Sequence, residues 1–386
     1  MNASRFIAGK LRFKGKIAMV SIAISFLVMI LAVSISAGYR KEIREGVSSF
    51  SGDIVLGPVG QSYLNSDQPI SVTPSYMQQM LDVDGVKSIS PVIYRAGIVK
   101  SGSEINGVVF KGVRDAGESL EASIPSGLAK KMSLQVGDPM LTYFVGENVK
   151  ARRFNVVSIY DNPLDIEEAL IVYVPLEDMQ RLNDWEEDQA SALEVTLGSA
   201  YKSTLTMEDK AAELGNIAVL YAQDDEPNMM ATSIVSQYPQ LFDWLDLIDF
   251  NVFFILLLMA IVAGFNMISG LLIMLFRNIS TIGTLKALGM TDKGIGRVFL
   301  RVASNLVLKG MLIGNALALL FCFIQGRTHF MKLNPENYFV SFVPVAVNIP
   351  MILLADLAAY IIIMLLLLLP SLFISKVDPA QTMRTQ

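Results

Sequence analysis

The sequence predicts a membrane α-helical protein, with four transmembrane helices and a large α+β extracytoplasmic domain between the first and second. Three observations predict it. The 386 residues are 52% hydrophobic with a mean hydropathy of +0.47, too apolar for an ordinary soluble chain. The apolar residues gather into four stretches, each long enough to cross a hydrocarbon core of about 30 Å at about 1.5 Å per helical residue. Charge is partitioned as well: residues 39–248 carry 16 Lys and Arg against 31 Asp and Glu, a net of −15, whereas the remainder is +10.

Residues 1–16 mix Phe6, Ile7, Leu11 and Phe13 with Arg5, Lys10, Arg12, Lys14 and Lys16, and hold no acid. This pattern predicts a short amphipathic helix in the inner headgroup layer. The first span, 17–38, is free of charge, and its length exceeds the about 7–15 apolar residues of a signal peptide, so it reads as an uncleaved anchor. The segment YRKEIREGVSSF after it keeps helical character.

Within 39–248, seven β-branched and aromatic runs bounded by Gly, Pro or Asp predict strands: SGDIVLG, VKSISPVIYRAGIV, NGVVFKGV, PMLTYFV, RRFNVVSIYD, ALIVYVP and SALEVTLG. Four segments predict short helices, namely PSYMQQMLD, SGLAKKMSL, PLEDMQRLND and MEDKAAELGN. The expected result is an α+β domain in two lobes. Its acidity implies solubility, or a docking surface for a basic partner.

The second span, 249–276, is led in by Tyr238 and Trp244, rings that favour a membrane boundary. Residues 277–301 form a basic loop, with Arg277, Lys286, Lys293, Arg297 and Arg301 against Asp292 alone. The third span, 302–325, contains Lys309, and a short outer loop, 326–348, separates it from the fourth span at 349–375 and the tail at 376–386. Basic residues accumulate on the cytoplasmic side, so both termini and the 277–301 loop are expected inside and the large domain outside.

Catalytic chemistry finds little support. His329 is the only histidine, so a Ser-His-Asp arrangement could run only through it, and no G-x-S-x-G elbow occurs; Cys322 is the only cysteine, which leaves no disulfide within the chain. The stretch from Gly9 to Gly15-Lys16 has the wrong spacing for a phosphate-binding loop, with Ile17 where a hydroxyl is needed. Three polar or small-residue features lie in the spans. Asp356 is costly in lipid unless it sits near the outer interface or has a function. Asn266 suits an interhelical hydrogen bond, and Gly310 with Gly314 suits close helix packing. In the basic loop, Ile279, Ile282, Leu285 and Leu288 make an apolar stripe on a short helix, started by Asn278 or Ser280 and ended by Gly289; Thr291-Asp292 can cap the next. That helix is either a docking element for a cytoplasmic partner or a surface helix that anchors the bundle.

The segment FNMISGLLIMLFRNISTIGTLKALGMTDKGIGRVFL, residues 265–300, resembles the second-span and coupling-helix signature of FtsX-like permeases, and within them most closely the lipoprotein-releasing permeases. RFIAGKLRFKGK, GLAKKMSLQVGDPM, YPQLFDWL, NYFVSFVPVAVNIP and VDPAQTMR are similar to corresponding stretches there, so the likeness spans nearly the whole chain. It departs at Arg277-Asn278, where an acidic-basic pair is usual, and in the tail from Pro379 to Gln386.

The resemblance implies a type VII ABC transporter permease in the bacterial inner membrane, with its large domain in the periplasm. It implies a permease subunit rather than an enzyme, with no cofactor in this chain; ATP and magnesium would be bound by a separate cytoplasmic ABC ATPase. Other implied partners are a second permease copy (the same chain or a paralogue), a lipoprotein substrate, a periplasmic carrier and membrane lipids, with no nucleic acid. The implied task is extraction of lipoproteins from the outer leaflet. A macrolide or peptide exporter and an FtsX-like regulator of cell-wall hydrolases stay open. The implied ATPase contacts are Ile279, Thr281, Ile282, Leu285, Lys286, Leu288 and Gly289; an acyl-chain cavity would use Met29, Val33, Phe253, Leu257 and Met259, with Met19 and Met267 nearby.

Overall fold

The computed structural model describes residues 16–60, 68–102, 104–146, 148–161, 170–334 and 338–371. The expected amphipathic segment before Lys16 and the cytoplasmic tail lie outside them. The chain divides into two units: residues 42–243 with 333–341 form a sheet unit, and the rest form a helical unit. The divisions fall inside the first helix, after Lys41, and ahead of Trp244 in the second long helix.

The elements run in chain order as α1 (Lys16–Ser51), β1 (Ile54–Pro58), β2 (Ile70–Ser71), α2 (Met77–Leu81), β3 (Val86–Ser101) and β4 (Glu104–Val113). Next come β5 (Glu121–Pro125), α3 (Ser126–Met132), β6 (Pro139–Phe144), β7 (Lys150–Tyr160), β8 (Ile171–Pro175) and α4 (Leu176–Asn183). They are followed by β9 (Gln189–Ala190), β10 (Ala192–Leu197), α5 (Thr204–Tyr221), β11 (Met229–Ser233) and α6 (Ile234–Gln237). The chain then enters α7 (Pro239–Arg277), α8 (Ile279–Ala287), α9 (Asp292–Thr328), α10 (Ile349–Leu366) and α11 (Leu368–Ser371).

Among the described residues of the sheet unit, the strands form a nine-stranded sheet, ordered β11-β1-β10-β3-β4-β8-β5-β7-β6, and a two-stranded β2-β9 ladder. Strand β3 is shared between two parts of this sheet, β11-β1-β10-β3 and a second part, β3-β4-β8-β5-β7-β6, that closes back on β3 through β6. The length of β3 allows this: it runs 16 residues and pairs with β10 near its start and with β4 and β6 further on, tying the two parts together. On one face Phe110, Phe144 and Phe154 pack with centroids 4.9 to 6.5 Å apart, each ring worth about 2 kcal/mol of burial. Gly112 is required here, because a Cβ would sit 2.8 Å from Cγ of Met179 on α4.

Among the described residues, four helices are long and apolar enough to cross a membrane: α1, α7, α9 and α10. Their core holds Ile22, Phe26, Met29, Met267, Val307 and Ile363. The Gly310–Gly314 spacing brings α9 against α1. A Cβ at Gly314 would lie 2.4 Å from the carbonyl oxygen of Ala23, and one at Gly310 would lie 2.6 Å from Cγ2 of Ile22. Asn266 makes the interhelical bond its position suggested, its Nδ2 donating to Oγ of Ser21 at 2.5 Å.

Candidate functional site

The 277–301 loop folds into α8, whose limits follow from local chemistry. The Asn278 side chain donates back to the Met274 carbonyl at 2.8 Å, finishing α7, so it starts α8 by position without capping it. At the other end Gly289 takes φ +87°, a left-handed turn that suits glycine, with open space around it. Its amide donates to the Lys286 carbonyl at 2.9 Å. Thr291 then caps α9 by accepting from the Gly294 amide at 3.3 Å. Lys286 Nζ pairs with Asp292 at 2.8 Å, bridging the turn.

The predicted stripe divides within this element. Ile282 is buried among Met274, Leu275, Ile295 and Phe299, and Leu285 packs half-buried against them. Ile279 is half-buried, while Thr281 is exposed beside Thr284. Leu288, at the C-cap, is 80% exposed. Ile282 therefore anchors α8 to the bundle, while Thr281, Leu288 and Gly289 are exposed.

The five candidate acyl-chain residues do not line one wall. Met29 and Val33 are buried inside the bundle, Val33 among Ile30, Ala318 and Ile352. Met259 is partly buried against the core. Phe253, 60% exposed, and Leu257 lie on an open face of α7. The same face carries Phe250, Phe254, Leu258 and Phe265, which the sequence reading did not single out. Their signal was present: Phe250, Phe253 and Phe254 fall within little more than one helical turn, and Phe254 meets both other rings edge to face, with Phe250 and Phe254 centroids at 4.8 Å.

Near the start of α7, Arg40 pairs with Asp246 at 2.8 Å and with Asp249, which also accepts from the Ser36 hydroxyl. Tyr39 meets Trp244 edge to face at 5.8 Å. Asp356 is buried on α10 and accepts from Nδ2 of Asn315 on α9 at 2.5 Å. His329 takes the left-handed cap of α9 and stacks on Phe342 at 3.9 Å, a role in closing the outer loop.

With this geometry in hand, comparison with known proteins places the chain. Residues 17–236 match the MacB-like periplasmic core domain, and residues 253–379 match the FtsX-like permease C-terminal region. The chain belongs to this permease family. It is similar to the lipoprotein-releasing system transmembrane protein LolE of Haemophilus influenzae, at 23% identity over 95% of this chain and 93% of that protein. It is also similar to LolC of Neisseria meningitidis, at 22% identity over 98% and 97% of the two chains. Among solved structures, the periplasmic region of MacB from Actinobacillus actinomycetemcomitans aligns over 50% of this chain and 95% of its own, at 10% identity and a TM-score of 0.31. This permease is thus an ABC transporter permease, a transmembrane subunit of the inner membrane with a periplasmic domain. Permeases of this type work with a cytoplasmic ABC ATPase.

Proposed function

We propose that this permease couples ATP hydrolysis by a separate cytoplasmic ATPase to the extraction of lipoproteins from the outer leaflet of the inner membrane, handing them to a periplasmic carrier. The observation that carries this reading is the likeness to two lipoprotein-releasing permeases over more than nine-tenths of both chains. The open aromatic face of α7 supports it, because it offers apolar surface to acyl chains at Phe253 and Leu257. Lifting three acyl chains from lipid costs about 0.8 kcal/mol per CH₂, on the order of tens of kcal/mol in total, so an energy source and a shielding carrier are both required.

In this reading two permeases, either two copies or a copy and a paralogue, pair with two ATPases in a type VII arrangement. The ATPases hold ATP and magnesium, and this chain holds no cofactor. Both termini and α8 lie in the cytoplasm, where Thr281, Lys286, Leu288 and Gly289 meet the ATPase and Ile279, Ile282 and Leu285 seat the helix. A second reading, an exporter of macrolides or peptides, is favoured by the MacB-like match over residues 17–236.

Reconstitution with the ATPase in vesicles tests the proposal. Acylated lipoprotein should leave the vesicles only with ATP and a carrier. Leu288→Asp, which changes an exposed side chain, should cut release about tenfold or more while the melting temperature holds. Transport of soluble peptides or drugs with no lipoprotein release would overturn the proposal in favour of the exporter.

A further inference from the structure

The C-terminal end of α1 belongs to the sheet unit, and its last carbonyls need donors that the helix itself cannot supply. Gly52, at φ +68°, turns the chain out of the helix, and Asp53 follows it fully buried. The Asp53 carboxylate accepts from the Ser48 hydroxyl at 2.6 Å and the Leu197 amide at 2.7 Å, and pairs with Lys202 at 2.9 Å. Arg44 on the helix donates to the Lys202 carbonyl at 2.7 Å.

A second charged group meets the helix end from the sheet. Lys111 on β4 is 4% exposed and donates through Nζ to the Phe50 carbonyl at 2.8 Å. Glu194 on β10 holds the same ammonium, with its two oxygens at 2.7 and 2.8 Å. Tyr94 stands opposite Lys111 on β3 and Tyr173 beside it on β8, and both rings lie 5.7 Å from Nζ. The Tyr94 hydroxyl donates to Glu194, and the Tyr173 hydroxyl lies 3.5 Å from the Ser49 carbonyl. Burial pushes the Lys111 ammonium below the ordinary lysine range, with Glu194 opposing.

A buried ion pair is a poor way to add stability, since apolar residues of similar volume serve as well or better, but it is exacting about geometry. An apolar contact can slide by an ångström at little cost. A buried ammonium shared between a carboxylate and a helix-terminal carbonyl cannot, because any slip strands a charge out of water. We propose that Lys111 is a positioning residue: together with Glu194 it fixes the register of the α1 end on the sheet, so that displacement of α1 is delivered to β4 and β10 without slippage. The proposal rests on the ATP-coupling part of the function above and not on its cargo.

The test uses the full-length permease with its ATPase partner in vesicles, in a Cys322→Ala background, with spin labels at the exposed positions Glu45 on α1 and Glu104 on β4. In the parent the label distance should be narrow and identical in the nucleotide-free and ATP-trapped states. In Lys111→Met it should broaden or shift with nucleotide, and lipoprotein release per ATP hydrolysed should fall about fivefold or more. The double variant Lys111→Met with Glu194→Met removes the stranded carboxylate. It should recover the parent melting temperature while the distance stays broad, which a purely stabilising role would not produce. A Lys111→Met distance as narrow as the parent in both states would overturn the proposal, as would a double variant that recovers both stability and the narrow distance. The distance readout needs no lipoprotein, so a parent that releases none would sink the cargo reading and leave this one standing or falling by itself.

Discussion

In the helical unit, α1 and α7 are close in mean hydropathy, 2.7 and 2.5 over their most apolar stretches, yet 44% of the first stretch is buried and only 22% of the second. The difference lies in small residues. α9 approaches α1 closely at Gly310 and Gly314, and the loop between α9 and α10 does so at Gly38, where a Cβ would sit 2.4 Å from the Pro344 carbonyl oxygen. The Ala346 amide donates to the Ser34 carbonyl at 2.9 Å, so the outer loop is strapped along α1. α7 meets α1 at Asn266 to Ser21, at Gly270, where a Cβ would sit 3.2 Å from Cβ of Ala18, and near its start through Ser36, Tyr39 and Arg40, while its aromatic face is left open. Hydropathy locates a span; how closely its neighbours approach, at glycines among other places, sets how far the bundle encloses it.

The sharpest way to break this comparison is a pair of phenylalanines. Phe26 on α1 is fully buried and Phe253 on α7 is 60% exposed. Phe26→Ala should cost about 3–5 kcal/mol of stability, whereas Phe253→Ala should stay within about 0.5 kcal/mol, both read from unfolding in detergent. Equal losses would mean that α7 is enclosed too. Next in size is Gly314→Val, whose Cβ would overlap the Ala23 carbonyl oxygen; about 1–3 kcal/mol should be lost as α9 is pushed from α1. The smallest effect lies in the sheet unit and should leave both helices unchanged. Glu226 is raised by its burial, but the Ser75 hydroxyl and amide and the Gln223 amide outweigh this and hold its carboxyl below the ordinary range. A lowered folded value means the stabilisation is present above the ordinary carboxylate range and is lost as pH falls through the lowered value. The protection of the Ser75 amide against hydrogen exchange, taken relative to the intrinsic rate at each pH, should therefore fall in acid, and Glu226→Gln should remove that pH dependence.

Much of this was legible in the sequence. Length and hydropathy alone mark four spans, because nothing else in a chain needs about 20 consecutive apolar residues. Lys309 did not mislead, since it lies on an exposed face of α9. The turn at Gly289 and the cap at Thr291 were readable because their chemistry is local. Seven strand positions in the insert were readable too; β2 and β9, of two residues each, and β5 and β11, whose EASIP and MMATS lack a β-branched run, were not. Strand order was not, because it depends on pairings far apart in the chain, such as Ile54 of β1 with Val195 of β10 and with Ser233 of β11. The burial of Met29 and Val33 was hidden for a related reason: an apolar residue on a span looks the same whether it faces lipid or a neighbouring helix. Lys111 was hidden most completely, since a single lysine in a strand gives no sign that Glu194 and the α1 end will enclose it.

Photo-crosslinking compares the two faces directly. With a photoreactive residue at Phe253, the account predicts adducts with acylated lipoproteins that disappear when ATP and carrier are supplied. At Val33, enclosed by Ala318 and Ile352, it predicts reaction within the chain. Lipoprotein captured at Val33 as readily as at Phe253, or no lipoprotein at Phe253, would contradict the claim that the open face of α7 receives the cargo.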